Sequence, residues 1–140
     1  MKKVYFAGSI RGGREDAVLY EKIIELLQQM GNEVLTEHIG LGTLTASGEQ
    51  DKSSTFIYER DLEWLKSADV VVAEVTSPSL GVGYEIAKAE EWGKPVVALF
   101  RPVTNRRLSA MIAGSKQVHI IEYETVEDLQ VAIPTVLERF

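Results

Sequence analysis

The most informative absence is cysteine, since the 140-residue chain contains none. Without thiols the protein has no disulfides, no cysteine nucleophile and no zinc site built on thiolates. Histidine is scarce as well, with only His38 and His119, which are too few for a histidine-rich metal centre. The composition therefore excludes the commonest redox and zinc chemistries.

Long apolar runs are also absent, because no stretch approaches the roughly 20 residues of a membrane span. The amino terminus enters a strand-like run at once and leaves no room for a signal peptide. The net charge of −6 and the pI near 5.0 argue against binding to nucleic acid or to an anionic membrane. A local cluster of donors could still bind a small anion. We expect a cytoplasmic protein.

The alternation of segments predicts the fold. A content of 45% hydrophobic residues fits one domain over 1–140. Helix-like segments separate the strand-like ones, and the order predicts a doubly wound α/β domain, Rossmann-like or flavodoxin-like, with five parallel strands and right-handed crossovers. The predicted strands are 3–9, 32–39, 69–75, 96–100 and 117–123.

Several helix ends are marked in the sequence. Gly31 and Gly93 are placed to stop the first and third helices. The last helix opens at Thr125 with Asp128 three residues on, which is a capping-box pattern. Pro134 predicts a kink or a separate final turn. The polar, glycine-containing stretch 40–54 is typical of a functional or mobile loop.

Ligands of such sheets bind outside the carboxyl ends of the strands. The loops there read "GSIRGGR", "TSPSLGVGYE" and "RPVTNRRLSAM", and together they form an arginine- and hydroxyl-rich rim suited to a phosphorylated small molecule. "GSIRGGR" is neither a Walker A motif nor G-x-G-x-x-G, which argues against a nucleoside triphosphatase or a standard dinucleotide dehydrogenase. Its glycines could also serve only to shape a tight turn.

Asp61 lies within the apolar arc of its predicted helix, among Ile57, Tyr58, Trp64, Leu65 and Ala68, with Arg60 on the opposite side. An aspartate is rarely buried without a partner, so we expect either a structural ion pair or hydrogen bond, or a partly desolvated acid with a raised pKa at a cleft.

Glu85 follows the glycines of "SLGVGYE", which predict a broken turn with this glutamate in the first turn of a helix. There the helix dipole would favour the ionised form. An ionised glutamate beside an aspartic acid is the two-carboxylate pattern of glycoside cleavage, although Glu85 alone could be a solvated residue.

Three further side chains are candidates of lower rank. Tyr5 could be core packing, or its hydroxyl could reach Glu85 near the strand end. His38 follows the second strand and could be a surface residue. Glu74 interrupts an apolar strand, so it either points into the cleft or pairs with an arginine.

The chain resembles the 2′-deoxynucleoside 5′-monophosphate N-hydrolases, which belong with the nucleoside 2-deoxyribosyltransferases, in the blocks "YFAGSIRGGRED", "LTEH", "DLEWLKSADVVVAEVTSPSLGVGYE" and "LFRP…LSAMI". The resemblance implies hydrolysis of a deoxynucleotide to free base and 2-deoxyribose 5-phosphate through a covalent glutamyl-deoxyribosyl intermediate. It implies no metal and no cofactor. The alternatives are a deoxyribosyltransferase, which hands the sugar to a second base, and a nucleotide-sensing module without catalysis.

The resemblance also implies a role for particular residues. Glu85 attacks C1′, Asp61 is the acid toward the leaving base, and Tyr5 positions the site. Ser79 and Ser109 bind the 5′-phosphate, Ser109 across a homodimer interface. The residues implied to bind the substrate are Gly8, Ser9, Ile10, Arg11, Gly12, Gly13, Arg14, Ser79, Gly81, Ser109, Ala110 and Met111.

Overall fold

The computed structural model describes residues 1–9, 16–36, 51–102 and 105–140. Its strands are β1 (Lys3–Ala7), β2 (Glu33–Val34), β3 (Val70–Glu74), β4 (Val96–Phe100) and β5 (Val118–Glu122). Its helices are α1 (Ala17–Gln29), α2 (Ser54–Ser67), α3 (Leu80–Glu91), α4 (Ala110–Ala113) and α5 (Val126–Leu137). The strand order is β2-β1-β3-β4-β5 and every pair is parallel, which confirms the predicted doubly wound sheet.

Helices cover both faces of this sheet, so its central strands are apolar on both sides. All five residues of β3 and all five of β4 are buried. Such strands read as continuous apolar runs rather than as alternating patterns. This is why β3 and β4 could be recognised from the sequence.

The two faces of the sheet carry different helices. Val4 and Phe6 of β1 pack with α1 and α5, whereas Tyr5 and Ala7 pack with α2 and α3. Successive side chains of a strand point to opposite faces, so this division follows from the alternation along β1. The Tyr5 side chain is thereby directed toward the two helices that carry Asp61 and Glu85.

The strand order reverses between β1 and β3, because the chain leaves β1 in one direction to form β2 and then returns on the other side to form β3. Open α/β sheets bind ligands at such a switch point, outside the carboxyl ends of the strands. The carboxyl ends of β1 and β3 lie side by side there.

Strand β2 is shorter than predicted, with two residues in place of 32–39. Thr36 explains part of the difference: its Oγ1 accepts a hydrogen bond from Phe6 N at 2.9 Å and donates one to Phe6 O at 2.6 Å. A buried side chain thus takes over the backbone groups of β1 that a longer β2 would have paired. Residues 37–39 lie outside the described part of the chain.

The helix-end predictions hold in most places. Gly31 and Gly93 follow α1 and α3 with positive φ angles of 89° and 70°, which glycine adopts at little cost. Asp128 accepts a hydrogen bond from Thr125 N at 3.1 Å, as the capping box predicts. Helix α5 continues through Pro134 to Leu137 as one element, so the separate final turn is not formed.

Gly8, at the exit of β1, has no room for a side chain. A Cβ there would lie 2.9 Å from Cε2 of Tyr20. The Tyr20 ring is fully buried, meets Phe6 edge-on at 5.8 Å and accepts a hydrogen bond from Ser9 N at 3.2 Å, so it cannot move aside freely.

We therefore expect Gly8→Ala to lower the free energy of unfolding by about 1–3 kcal/mol, the usual cost of forcing extra volume into a packed interior. Chemical denaturation would measure it. Gly83→Ala is the matched control, because a Cβ at this position in α3 meets no described atom within 4 Å. It should stabilise the protein by up to about 1 kcal/mol. Equal stability of Gly8→Ala and wild type would contradict the packing argument.

Candidate active site

Tyr5 of β1 and Glu85 of α3 meet at the edge of the interior, where Tyr5 is buried and Glu85 is half-buried. The Tyr5 side chain is 1% exposed, and its hydroxyl donates a hydrogen bond to Oε2 of Glu85. The contact joins residues 80 positions apart, at the switch point of the sheet. The predicted reach of the Tyr5 hydroxyl to Glu85 is confirmed.

The charge state of Glu85 differs from the one expected from its sequence position. Burial raises the pKa of Glu85 to about 7; the Tyr5 hydrogen bond lowers it and the Asp61 charge raises it. The helix dipole has little effect here, because α3 begins at Leu80 and Glu85 therefore lies in its second turn. The prediction of a glutamate in the first turn is wrong, and burial opposes the ionised form that the prediction favoured.

Asp61 acts on the same pair from α2. The pKa of Tyr5 is raised first by burial, then by the Glu85 charge and then by the Asp61 charge. The Asp61 charge also raises the pKa of Glu85. Three side chains from β1, α2 and α3 thus form one electrostatic cluster. A tyrosine whose pKa is raised keeps its proton, so Tyr5 acts as a hydrogen-bond donor to the carboxylate beside it.

Asp61 also has a cationic partner. Arg60 Nη2 lies 2.9 Å and Arg60 Nε 3.0 Å from Asp61 Oδ1, with the two side chains 17% and 24% exposed. The expectation that this aspartate needs a partner is confirmed. Its role as an acid with a raised pKa stays a prediction.

The helical wheel of α2 was wrong about two positions. Arg60 was placed on the solvent side but is mostly buried, with its guanidinium 4.7 Å from the centre of the Trp64 ring. Tyr58 was placed in the apolar arc but is 49% exposed, and its hydroxyl lies 3.1 Å from that of Tyr84. The i, i+4, i+8 spacing of Phe56, Arg60 and Trp64 could have indicated the stacked arginine.

Ser79 and Gly81 lie at the start of α3. The Ser79 side chain caps the helix by accepting a hydrogen bond from Val82 N at 3.3 Å. Gly81 is inside the first helical turn, so the predicted broken turn is not formed. A Cβ on Gly81 would lie 3.9 Å from both Ser79 Oγ and Glu85 Oε1. Gly81 therefore lies between these two side chains and places no side chain of its own there.

Ser109 caps α4 in a similar way and accepts a hydrogen bond from Met111 N at 3.3 Å. Ser109, Ala110 and Met111 are all exposed, Met111 to 84%. Within the described chain, these residues therefore form a surface rather than part of the buried Tyr5 cluster.

The loop after β1 is described only at its beginning. Ser9 is fully buried, and its Oγ has no hydrogen-bond partner among the described residues. Gly8 packs on Tyr20 as stated above. The other candidates after β1 and β2, namely Ile10, Arg11, Gly12, Gly13, Arg14 and His38, lie outside the described residues.

Glu74 is fully buried and pairs with an arginine, one of the two outcomes expected for it. Its carboxylate accepts hydrogen bonds from the Tyr123 hydroxyl, from Thr76 N at 2.7 Å and from Thr76 Oγ1 at 3.0 Å, and Arg101 Nε lies 3.8 Å away. Burial raises the pKa of Glu74 and these hydrogen bonds lower it. The network fixes the loop after β3.

Two arginines of the predicted cationic rim are engaged by other residues. Arg101 Nη2 lies 2.7 Å from Asp16 Oδ2, and Arg106 Nη1 donates to Ser77 Oγ at 2.6 Å. In the part of the chain that is described, no three histidine, aspartate or glutamate side chains cluster as a metal site requires. The helices in these ranges are too short or too polar to cross a membrane.

Residues 4–128 match the protein-family model described as nucleoside 2-deoxyribosyltransferase. Among curated proteins, the chain is 58% identical over 113 residues to the 5-hydroxymethyl-dUMP N-hydrolase of Mus musculus. The match covers 80% of this chain and 65% of the mouse protein, which is just under two thirds of that protein's length. The chain is 46% identical over 128 residues to the Danio rerio protein of the same name, covering 91% of this chain and 89% of that protein.

Two solved structures share the fold. A CMP N-glycosidase of Clostridium botulinum superimposes with a TM-score of 0.69 at 22% identity, over 96% of this chain and 99% of the other. A 2-deoxyribosyltransferase of Bacillus psychrosaccharolyticus gives a TM-score of 0.68 at 22% identity, over 92% and 90% of the two chains. At this identity the likeness concerns the fold alone.

Removing the Tyr5 hydroxyl should raise the pKa of Glu85 above its value of about 7, because the hydrogen bond is an influence that lowers it. Carbon-13 NMR of the glutamate carboxyl groups would follow the titration in wild type and in Tyr5→Phe. Tyr123→Phe is the matched control, since it removes a similar bond from Glu74 and should leave Glu85 unchanged. A Glu85 midpoint that does not move in Tyr5→Phe would contradict the assigned contact.

Proposed function

The chain belongs to the nucleoside 2-deoxyribosyltransferase family, and from this we propose that it hydrolyses the N-glycosidic bond of 2′-deoxynucleoside 5′-monophosphates. The products are the free base and 2-deoxyribose 5-phosphate. The observation that carries the proposal is the contact of Tyr5 with Glu85 beside Asp61, at the switch point of the sheet. The curated relatives are named for 5-hydroxymethyl-dUMP, so we propose this modified nucleotide as the first substrate to test.

The geometry supports Glu85 as the nucleophile. Tyr5 holds Oε2, while Oε1 is the oxygen on the side of Gly81 and Ser79. In the proposed first step Oε1 bonds to C1′ as the bond from C1′ to the base nitrogen breaks. The bonding electrons leave with the base, which takes a proton from Asp61. The transition state resembles an oxocarbenium ion, which a nearby carboxylate stabilises.

Hydrolysis completes the proposed cycle. A water molecule gives a proton to Asp61 and its oxygen to C1′, and the bond from C1′ to Oε1 breaks with its electrons returning to Glu85. Tyr5 stabilises the carboxylate each time it is released, since its hydroxyl remains a donor. The attacking form of Glu85 is the ionised one, so its pKa of about 7 predicts activity that rises as the pH passes through that region.

The start of α3 supports a phosphate site. Ser79 Oγ accepts the capping hydrogen bond, so its own hydrogen can be donated to a phosphate oxygen, and the helix amino terminus favours negative charge. Ser9 adds a buried hydroxyl at the end of β1. With the phosphate at Ser79, the absence of a side chain at Gly81 lets the sugar reach Glu85.

Ser109 is proposed as a second phosphate donor, contributed by the other subunit of a homodimer. Its exposure, and that of Ala110 and Met111, is compatible with a role on a surface that meets another copy. The cytoplasmic location expected from the sequence stays a prediction.

A substrate panel tests the proposed function. We expect the protein to release free base from 5-hydroxymethyl-dUMP and from other deoxynucleoside monophosphates, and to act poorly on ribonucleotides and on unphosphorylated deoxynucleosides. Chromatography of the products measures this, with a competing free base in a parallel reaction. New nucleotide in excess of sugar phosphate would favour the transferase instead, and an unchanged substrate would favour a nucleotide-sensing module.

Ser79→Asp tests whether Ser79 recognises the phosphate. Aspartate caps helices as well as serine does, so thermal stability should be retained. Its negative charge opposes the phosphate, so KM for the monophosphate should rise roughly tenfold or more, as expected from a like-charge contact of about 1.4 kcal/mol or greater. An unchanged KM would remove Ser79 from the phosphate site.

A further inference from the structure

Arg60 has an unusual setting for an arginine on a surface helix. Its guanidinium lies 4.7 Å from the centre of the Trp64 ring and 5.6 Å from that of the Phe56 ring, and its side chain is 17% exposed. These rings come four residues before and four after it, on the same side of α2. The flat faces of the rings attract the cation and limit the rotamers open to it.

The stacked guanidinium is aimed at the next residue. Neighbouring residues of a helix do not normally face each other, so an arginine reaches its i+1 carboxylate only by folding back along the helix surface. Here both Nε and Nη2 of Arg60 contact a single oxygen, Asp61 Oδ1, at 3.0 and 2.9 Å. Two charge-assisted contacts on one oxygen fix the rotation of the carboxyl group.

Among the described residues, the ionisable groups around Asp61 come from three elements. Tyr5 faces it from β1 and Glu85 from α3, and Arg60 lies beside it on α2. Asp61 raises the pKa of Tyr5, whereas Arg60 lowers it, so the arginine acts on the cluster and not only on its neighbour. Two carboxylates in one partly buried site repel each other when both are ionised.

We propose that Arg60 is a positioning residue for the reaction: clamped between Phe56 and Trp64, it holds Asp61 Oδ1 and turns the Asp61 carboxyl group toward the leaving base. The cation also stabilises the Asp61 carboxylate that remains once the proton has passed to the base. Arg60 touches no reacting atom and acts on the reaction through its contact with Asp61. The activity readouts of this inference rest on the proposed function.

A double-mutant cycle separates positioning from folding. Arg60→Met keeps an apolar stem against the rings but removes the charge and the donors. It should lower kcat roughly tenfold with little change in KM, in line with couplings measured between contacting residues. In an Asp61→Asn background the same substitution should change kcat less than about twofold. Arg60→Lys, which keeps the charge without the planar fork, should restore part of the loss.

Lys66→Met is the matched control, because it removes one positive charge from an exposed position of the same helix. It should leave kcat within about twofold of wild type. Losses from Arg60→Met and Asp61→Asn that simply multiply would overturn the proposal, since they would show that the two residues act independently. A loss in Lys66→Met equal to that in Arg60→Met would overturn it as well.

A second measurement does not depend on turnover. Carbon-13 NMR of the Asp61 carboxyl group should show titration at higher pH in Arg60→Met than in wild type, because the guanidinium favours the ionised form. Lys66→Met should titrate as wild type does. If wild type hydrolyses no deoxynucleotide, the proposed function fails while this shift still supports the clamp; an unchanged Asp61 midpoint overturns the clamp whatever the activity.

Discussion

The hydrogen bond from Tyr5 to Glu85 is the interaction on which the site depends. Alternation along β1 turns Tyr5 toward α2 and α3, and the pairing of β1 with β3 brings the helix after β3 over that side chain. A carboxyl group that is partly removed from water is costly when ionised. The Tyr5 hydroxyl offsets part of that cost and fixes which oxygen remains to face a ligand.

This arrangement has a consequence for stability. The pKa of Glu85 in the folded protein is about 7, above its ordinary value of 4.5. The folded state therefore binds more protons than the unfolded one between those values, and the contribution of Glu85 to stability is present below pH 4.5 and lost as the pH rises to 7. The buried position of Glu85 therefore costs stability at neutral pH.

A second buried carboxylate, Glu74, differs from Glu85 because several hydrogen-bond donors surround it. It accepts hydrogen bonds from Tyr123 and Thr76 and lies near Arg101, so its polar atoms are met by donors from three neighbouring segments. Such a network holds the loop that leads from β3 to Ser79 and α3. One carboxylate therefore stabilises the loop that positions the other.

Much of the fold could be predicted from the sequence because it follows from local patterns. The apolar run of β3 and the glycines after α1 and α3 indicate a buried parallel sheet and helix ends directly. The short β2 could not be predicted, since it depends on Thr36 bonding to a strand thirty residues away. The start of α3 was misread because its glycines suggest a break, whereas the Ser79 cap makes them helical.

The pairing of Asp61 with Glu85 was within reach of the sequence, and so was the contact with Tyr5, because strand ends and helix starts of such a sheet meet at one edge. The charge state of Glu85 was not, since burial depends on the whole packed interior. The burial of Arg60 could not be predicted either. A helical wheel gives only the direction of the Cα–Cβ bond, and the long arginine side chain can extend far from that direction.

Trapping the covalent intermediate would show whether Glu85 is the nucleophile. The protein is mixed with a deoxynucleoside monophosphate that it hydrolyses, quenched in acid within one turnover, and digested for mass spectrometry. We predict a 2-deoxyribose 5-phosphate adduct on the peptide that carries Glu85. Glu85→Gln should show no adduct, and its turnover should fall by ~10⁴-fold or more while nucleotide binding is retained. An adduct on another residue, or normal turnover in Glu85→Gln, would contradict this prediction.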